Sequence, residues 1–405
     1  MKLLYVHDRF GGGAGADGSL LLTATELKRR GHEIGIIHGL GNGMDRAEWD
    51  RTFSHRYLLT SHGKNRSMLD ALDRFKPDVV FVHQLRDLSV LRALVSSRRP
   101  LARMVHDHDL YCMRRYRYAP FSRRICMRPV SRYCVFPCGA FLIGAREGRL
   151  PFQWNSLSSK KKEVMLNQRF NRMLVASHYM KEQLLLNGFD GRRIEVHPPI
   201  PRPSDNPIQS SFCDRNLILY SGQITRGAGV DVLLESLALV RTHFECVILG
   251  EGRHRAYCER LSKRLGMQHR VSFRGWISPQ ELREYYRECS AVVISSLWPE
   301  PIGLSGLEAM GYGLPVVAFD AGGIKDWLTD GYNGYLVPWM EKAAFAGRVE
   351  RLLNDKDLAQ TLGQRGLNRI SRDYNYDESL RNLERTLSQV ATEGPCGADD
   401  PNAQL

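Results

Sequence analysis

The sequence predicts an α/β protein of two parallel-sheet domains facing each other across a cleft, and three observations carry that prediction. Short apolar runs alternate with amphipathic stretches along nearly the whole chain, as they do where strands and helices take turns. The alternation lapses once, over "VHPPIPRPSDNPIQSSF" (196–212), where prolines and polar residues gather, and then restarts. The 405 residues, 43% hydrophobic and 25% charged, suffice for two soluble domains, each with its own core.

In the first half "KLLYVH", "EIGIIHG", "DVVFVHQ", "LARMVHD" and "RMLVASH" read as buried strands. "LTATELKRRG" is a helix that Gly31 ends, where a left-handed cap is wanted. In the second half "NLILYSG", "FECVILGEG", "RVSFRGW", "AVVISSL" and "PVVAFD" are strands, with "GVDVLLESLALVR" and "PQELREYYREC" as helices between them. The expected boundaries are 1–198 for the first domain, 199–212 for the linker and 213–375 for the second domain. A last helix covers 376–391, and the tail 392–405 is expected to be disordered. Ligands of such sheets sit beyond the carboxyl ends of the strands.

The net charge of +13 favours anionic partners: nucleotide phosphates, acidic lipids or nucleic acid. No apolar run reaches the length of a membrane span. "MKLLYVHDRF" is too short and too quickly charged for a secretory signal. A cytoplasmic location is therefore expected, and nine cysteines without a regular framework agree with it.

"GAGADG" (Gly13 to Gly18) fits the dinucleotide-binding pattern and raises a dehydrogenase reading. Its glycines do not follow the strand directly, because "HDRFGG" intervenes. The second strand ends in His38 and Gly39 rather than in an acid for a ribose. A glycine loop, with Gly12 and Gly13 where backbone N–H groups can approach an anion, is the better use of these residues.

"EPIGLSGLEAMGYGLP" carries the most specific chemistry. Glu300 is bracketed by prolines and cannot be helical, so a helix begins near Gly303 and Glu308 falls in its second turn. Between the two glutamates lie the N–H groups of Gly303, Leu304 and Ser305 at a helix start, a ready anion site. A diphosphate placed there has one carboxylate on either side, each able to accept from hydroxyls such as those of a sugar and a ribose. That arrangement describes a nucleotide sugar.

At this point the chain resembles the retaining glycosyltransferases of the GT-B fold, in the large family 4. "EPIGLSGLEAMGYGLPVVAFDAGG", "NGYLVP", "VILGEG", "RVSFRGW", "KRRGHEIGIIH" and "MVHDHDLYC" carry the resemblance. It implies two Rossmann-like domains, the first for the acceptor and the second for a UDP- or GDP-sugar donor, with the last helix returning to the first domain. By resemblance Glu300 holds the donor sugar, Glu308 binds the ribose, and Gly303 and Leu304 give N–H groups to the diphosphate. Ile302, Ser305, Gly222, Gln223, Gly250 and Glu251 complete the donor contacts, and His106 lies near the sugar. No metal or other cofactor is implied for catalysis, and the sugar is transferred to a hydroxyl with retained configuration. Cell-surface polysaccharide or glycolipid synthesis is the expected setting. An epimerase of related architecture would need acid/base residues that are not evident.

The pattern breaks at one loop. The family usually carries an arginine and a lysine after the first strand of the second domain, but here Gln223 and Ala228 stand in their places. Losing cations that offset developing diphosphate charge is costly. Arg226, in the same loop, is expected to turn inward as the substitute. The competing reading is a non-catalytic descendant that binds nucleotide sugar or glycan.

A basic, cysteine-rich insertion spans about 110–165. Cys112, Cys126, Cys134 and Cys138 are candidates for a structural zinc site, although no C-x-x-C pair tightens the spacing. Its arginines interleave with Tyr111, Tyr116, Tyr118, Phe121, Tyr133 and Phe136, and Trp154 with Lys160 to Lys162 follows. Such a mixture suits the headgroup region of an anionic membrane, where a lipid-linked acceptor would be presented. Single-stranded nucleic acid is the alternative ligand, set aside because no nucleic-acid module is recognisable.

Overall fold

A computed structural model describes residues 1–12, 15–41, 46–59, 63–119, 121–144, 152–200, 210–212 and 215–395. The chain divides into two compact units, Met1–Arg115 with Met127–Pro199 and Asp377–Leu405, and Tyr116–Cys126 with Ile200–Tyr376. Gly13, most of the linker and residues 396–405 of the tail lie outside the described residues.

The first unit begins with β1 (Lys2–His7), α1 (Gly15–Arg29), β2 (Glu33–His38), α2 (Arg46–Thr52), β3 (His55–Leu58) and α3 (Lys64–Phe75). It continues with β4 (Val79–Gln84), α4 (Leu88–Ser96), β5 (Leu101–Val105) and a small antiparallel pair, β6 (Leu142–Gly144) and β7 (Phe152–Trp154). After these come α5 (Leu157–Asn167), β8 (Arg172–Val175), α6 (His178–Leu186) and β9 (Ile194–Val196). The parallel sheet runs β3-β2-β1-β4-β5-β8-β9. The strands expected from continuous apolar runs are those buried on both faces, whereas edge strand β3 is mostly exposed and shows no such run.

The second unit holds β10 (Leu217–Ser221), α7 (Val230–Leu237), β11 (Glu245–Leu249), α8 (Arg255–Arg264), β12 (Val271–Gly275) and α9 (Pro279–Glu288). It ends with β13 (Ala291–Ile294), α10 (Leu304–Gly311), β14 (Val316–Phe319), β15 (Gly334–Val337), α11 (Lys342–Asn354) and α12 (Lys356–Asp373). Its parallel sheet runs β12-β11-β10-β13-β14-β15. In each unit the order reverses beside the first strand, which opens a crevice at the strands' carboxyl ends. Local chemistry sets the helix starts: Ser278 and Glu281 cap α9 reciprocally with Pro279 in its first turn.

Helix α13 (Tyr376–Glu393) joins the first unit and runs two residues past the expected end. Leu383, Leu387 and Val390 enter the same core as Leu3, Tyr5 and Leu27. Each such burial contributes roughly 1.5–3 kcal/mol. Glu384 fixes the docking by accepting from His32 Nε2 at 2.7 Å. Among the described residues no helix is long and apolar enough to cross a membrane.

The insertion departs from expectation. Its stretch Tyr116–Cys126 belongs to the second unit rather than the first. It folds as a hairpin, with Cys126 N–H donating to Arg117 O at 2.7 Å and Ala119 N–H to Arg124 O at 2.9 Å. The sequence could not show this, because the hairpin's partners lie about a hundred positions downstream.

Candidate donor and acceptor sites

Glu300 sits between β13 and α10, and its backbone is held from the loop after β14. Its N–H donates to Ala321 O at 3.0 Å, and its carbonyl accepts from Gly323 N–H at 2.7 Å. Gly322, at φ 74°, permits this approach, since a Cβ there would lie 2.5 Å from Glu300 O. The side chain is half-buried, and Oε1 accepts from Ser296 Oγ and from Trp298 Nε1, the latter at 2.9 Å. Burial pushes the Glu300 carboxyl above its ordinary value, and these two donors oppose the rise.

Helix α10 starts after Gly303, which adopts φ 82°. The first N–H groups of a helix have no intrahelical acceptor, so those of Leu304 and Ser305 face outward as donors. Trp327 is fully buried beneath this tip and donates Nε1–H to Ile302 O. Gly306 admits its ring: a Cβ there would come within 2.1 Å of Trp327 Cη2. Glu308 follows in the second turn, half-buried, with Oε2 accepting from the buried Tyr286 hydroxyl at 3.4 Å. Burial raises the Glu308 carboxyl as well, and Tyr286 opposes it. The two glutamates thus occupy different elements on either side of one helix tip.

Two glycine loops complete this end of the sheet. A Cβ on Gly250, at φ 131°, would strike Gly222 O at 1.9 Å, so the loops after β10 and β11 touch backbone to backbone. Ile224 N–H donates to Glu251 O at 2.9 Å, and His254 N–H to Ile224 O at 3.0 Å. Gly222, Gln223 and Glu251 are exposed here, with Glu251 paired to Arg255. Arg226, expected to turn inward as the substitute cation, is exposed, as Gln223 is. The turn closed by Ala228 N–H on Thr225 O at 3.2 Å buries Ile224 and Ala228.

In the first unit, polar groups collect past the ends of β1, β4 and β5. His83 Nδ1 and His106 Nε2 share a hydrogen bond of 2.8 Å, and His7 Nε2 meets Asp17 Oδ1 at 3.0 Å. Burial, reinforced by the charge of His7, pushes His106 down to about 3, so it is neutral at ordinary pH. Burial drives His83 down too. Gly12, at φ 119°, leaves room for the Asp17 carboxylate, which a Cβ would approach to 2.6 Å, and its carbonyl accepts from Trp49 Nε1 at 2.9 Å.

Of the four cysteines proposed for zinc, Cys112 and Cys134 lie near enough to Cys138 to add to the rise that burial gives its thiol. Among the described residues no three His, Cys, Asp or Glu side chains are gathered for a metal. Cys126 belongs to the second unit, and Cys112, Cys134 and Cys138 to the first. All four are half-buried. Lys160 likewise turns inward, donating to Asp109 O and to Glu163 Oε2, each at 2.6 Å. A groove of about 570 Å³ beside the starts of β10, β11 and β12, lined by Arg215, Glu245, Arg270 and Glu288, lies at the wrong end of the sheet for ligand chemistry.

Sequence reasoning missed Ser296, Trp298, Tyr286 and the Tyr116–Cys126 hairpin. A faint signal existed for the first two, since "SSLW" ends a buried strand in polar residues directly before Glu300.

Comparison with known proteins follows the same division. The family model for glycosyltransferase family 4 matches residues 14–200, and that for glycosyl transferases group 1 matches residues 202–369. An uncharacterized glycosyltransferase of Methanocaldococcus jannaschii, MJ1607, is 31% identical over 166 residues, 40% of this chain and 42% of that protein. The alpha-D-kanosaminyltransferase of Streptomyces kanamyceticus is 33% identical over 154 residues, 37% of this chain and 40% of that protein. The chain thus spans about two fifths of the length of these relatives. The Anabaena protein HepE, solved with UDP and glucose, superimposes with a TM-score of 0.71 over 96% of this chain and 100% of its own, at 19% identity. That likeness is one of fold. With both family models matched in sequence and two parallel-sheet α/β units of the GT-B kind, the chain belongs to the family 4, group 1 glycosyltransferases.

Proposed function

We propose that this chain transfers a sugar from a nucleoside-diphosphate sugar to a hydroxyl acceptor with retention of configuration. The observation that carries the reading is the α10 tip, with outward N–H groups between two half-buried glutamates held by neutral donors. The tip and its glycine take the diphosphate. Glu300, loaded by protein donors on Oε1, keeps Oε2 for the sugar hydroxyls, and Glu308 accepts from the ribose. In the reaction the bond from the anomeric carbon to the diphosphate oxygen breaks. The acceptor oxygen bonds to that carbon on the same face, and its proton passes to the departing diphosphate. That HepE is solved with UDP and with UDP-glucose supports a uridine donor as the first to try.

Gln223 and Ala228 favour a second reading, a protein that binds nucleotide sugar without transferring it. Thermal unfolding with UDP-, GDP-, ADP- and dTDP-sugars is expected to show a rise for one donor, because a ligand bound only to native protein stabilises it. A rise with nucleoside diphosphate release on adding acceptor supports transfer, and a rise without release supports binding alone. No rise with any donor removes both.

The acceptor is proposed to be lipid-linked and met at an anionic membrane surface from the cytoplasmic side. Phe136 and Trp154 are 85% and 79% exposed, close in sequence to the exposed Arg128, Arg132, Lys161 and Lys162. Sedimentation with phosphatidylglycerol vesicles is expected to fall several-fold in Phe136→Ser/Trp154→Ser. Equal sedimentation of the two proteins removes this surface from the account.

A further inference from the structure

The hairpin Tyr116–Cys126 packs onto the loop that lacks the family's two cations. Tyr118 covers Gly227, where a Cβ would lie 3.0 Å from its ring. Tyr116 packs edge-on against Trp298 at 6.3 Å between ring centroids. Gly227 O accepts from Leu297 N–H at 2.8 Å and Trp298 N–H at 3.1 Å, and Trp298 in turn donates to Glu300. Hairpin, glycine loop and Glu300 therefore form one packed body at the carboxyl end of the second sheet.

Into this body the hairpin brings arginines. Arg123 Nη2 meets Asp231 Oδ2 at 2.6 Å with both side chains nearly buried, and Asp231 is the second residue of α7, directly after the loop. Arg117 is 2% exposed. Arg117 and Arg123 both adopt left-handed backbone, at φ 59° and 58°. Two non-glycine residues in that region each cost about a kcal/mol or more, and such strain persists where surrounding structure fixes it for a purpose. A guanidinium has five N–H donors, so one carboxylate contact orients Arg123 without exhausting it.

We propose that this hairpin is a strap built into the donor site, in which Arg123 supplies to the nucleoside diphosphate the positive charge that Gln223 and Ala228 lack. The proposal rests on the donor reading above and moves its cation from the loop to the insertion. Asp231 positions Arg123, Tyr116 and Tyr118 anchor the strap, and the exposed Arg226 is not needed.

The test is titration calorimetry on the full chain with UDP, GDP and ADP and with the matching nucleoside monophosphates. For the diphosphate that the natural protein binds, Arg123→Ala is expected to lose about 10-fold in affinity. The monophosphate, which lacks the outer phosphate, should change by less than about 3-fold. Arg123→Lys should recover part of the loss, and Asp231→Asn, which keeps an oxygen acceptor for the guanidinium but removes the charge, should lose less diphosphate affinity than Arg123→Ala. Arg123→Gln serves if the alanine variant unfolds. Equal weakening toward both ligands, or an Asp231→Asn variant that matches Arg123→Ala, makes the pair a mere clasp and overturns the proposal. If the natural protein binds no diphosphate, the donor reading falls and the strap falls with it. If it binds and Arg123→Ala is unchanged, only the strap falls.

Discussion

The two sheets place ionisable groups beyond their strands' carboxyl ends by opposite means. In the second unit the groups are carboxyls, and burial raises them, so holding Glu300 and Glu308 charged costs free energy. In the first they are imidazoles, and burial lowers them, so His83 and His106 stay neutral. The carboxyls are met by neutral donors, Ser296, Trp298 and Tyr286, rather than by arginine or lysine. An under-compensated carboxylate is a strong acceptor for ligand hydroxyls. A neutral imidazole pair can donate and accept without competing for the diphosphate. The contrast teaches that one unit is tuned to receive hydroxyl donors and the other to keep its buried ionisable pair uncharged.

The largest expected effect comes from removing the charge at Glu300. Glu300→Gln should lower transfer by roughly 10²–10³-fold, the scale of losing one polar group aimed at the reacting centre. It should also stabilise the fold by about 1 kcal/mol, since relieving a strained functional group commonly does so. The sign follows from linkage. A carboxyl raised in the folded state contributes stability below its unfolded value of 4.5, and that contribution is lost as pH rises through the folded value. Near neutral pH the variant should therefore unfold at higher temperature than the natural protein, with the gap closing below pH 4.5. Initial rates with thermal melts across pH check both halves. A variant that loses stability at neutral pH would break the contrast between the units.

How much of this could be read from the residues depended on sequence distance. Glu300, Gly303 and Glu308 lie in one short run whose prolines and glycine dictate where the helix starts, so the donor tip was legible. Strands buried on both faces were legible as apolar runs, whereas exposed β3 and short β9 were not. The partner of Glu308, Tyr286, stands 22 residues away on another helix. Arg123 and Asp231 are 108 residues apart. No periodicity connects such pairs; only packing does. Arg226 was suggested as a cation by proximity in the chain alone, and the turn at Thr225–Ala228 leaves it exposed.

The smaller effect lies in the first unit and has the opposite sign. A histidine whose folded value is depressed contributes stability above its unfolded value, and loses it as pH falls toward the folded one. For His106 that window runs from 6.5 down to about 3. Around it stand His83 from β4, His7 from β1, Asp17 from α1 and Arg103 from β5. Asp17 partly offsets protonation, while His7 and Arg103 oppose it. By pH 5 this one group should remove about 1–2 kcal/mol relative to pH 7. His106→Asn should flatten that part of the acid limb in urea titrations and leave in place the opposite-signed loss of stability that sets in above pH 4.5, which Glu300 contributes. If both limbs move together in either variant, the two sites share one titration, and the division of roles between the units gives way to a single coupled network.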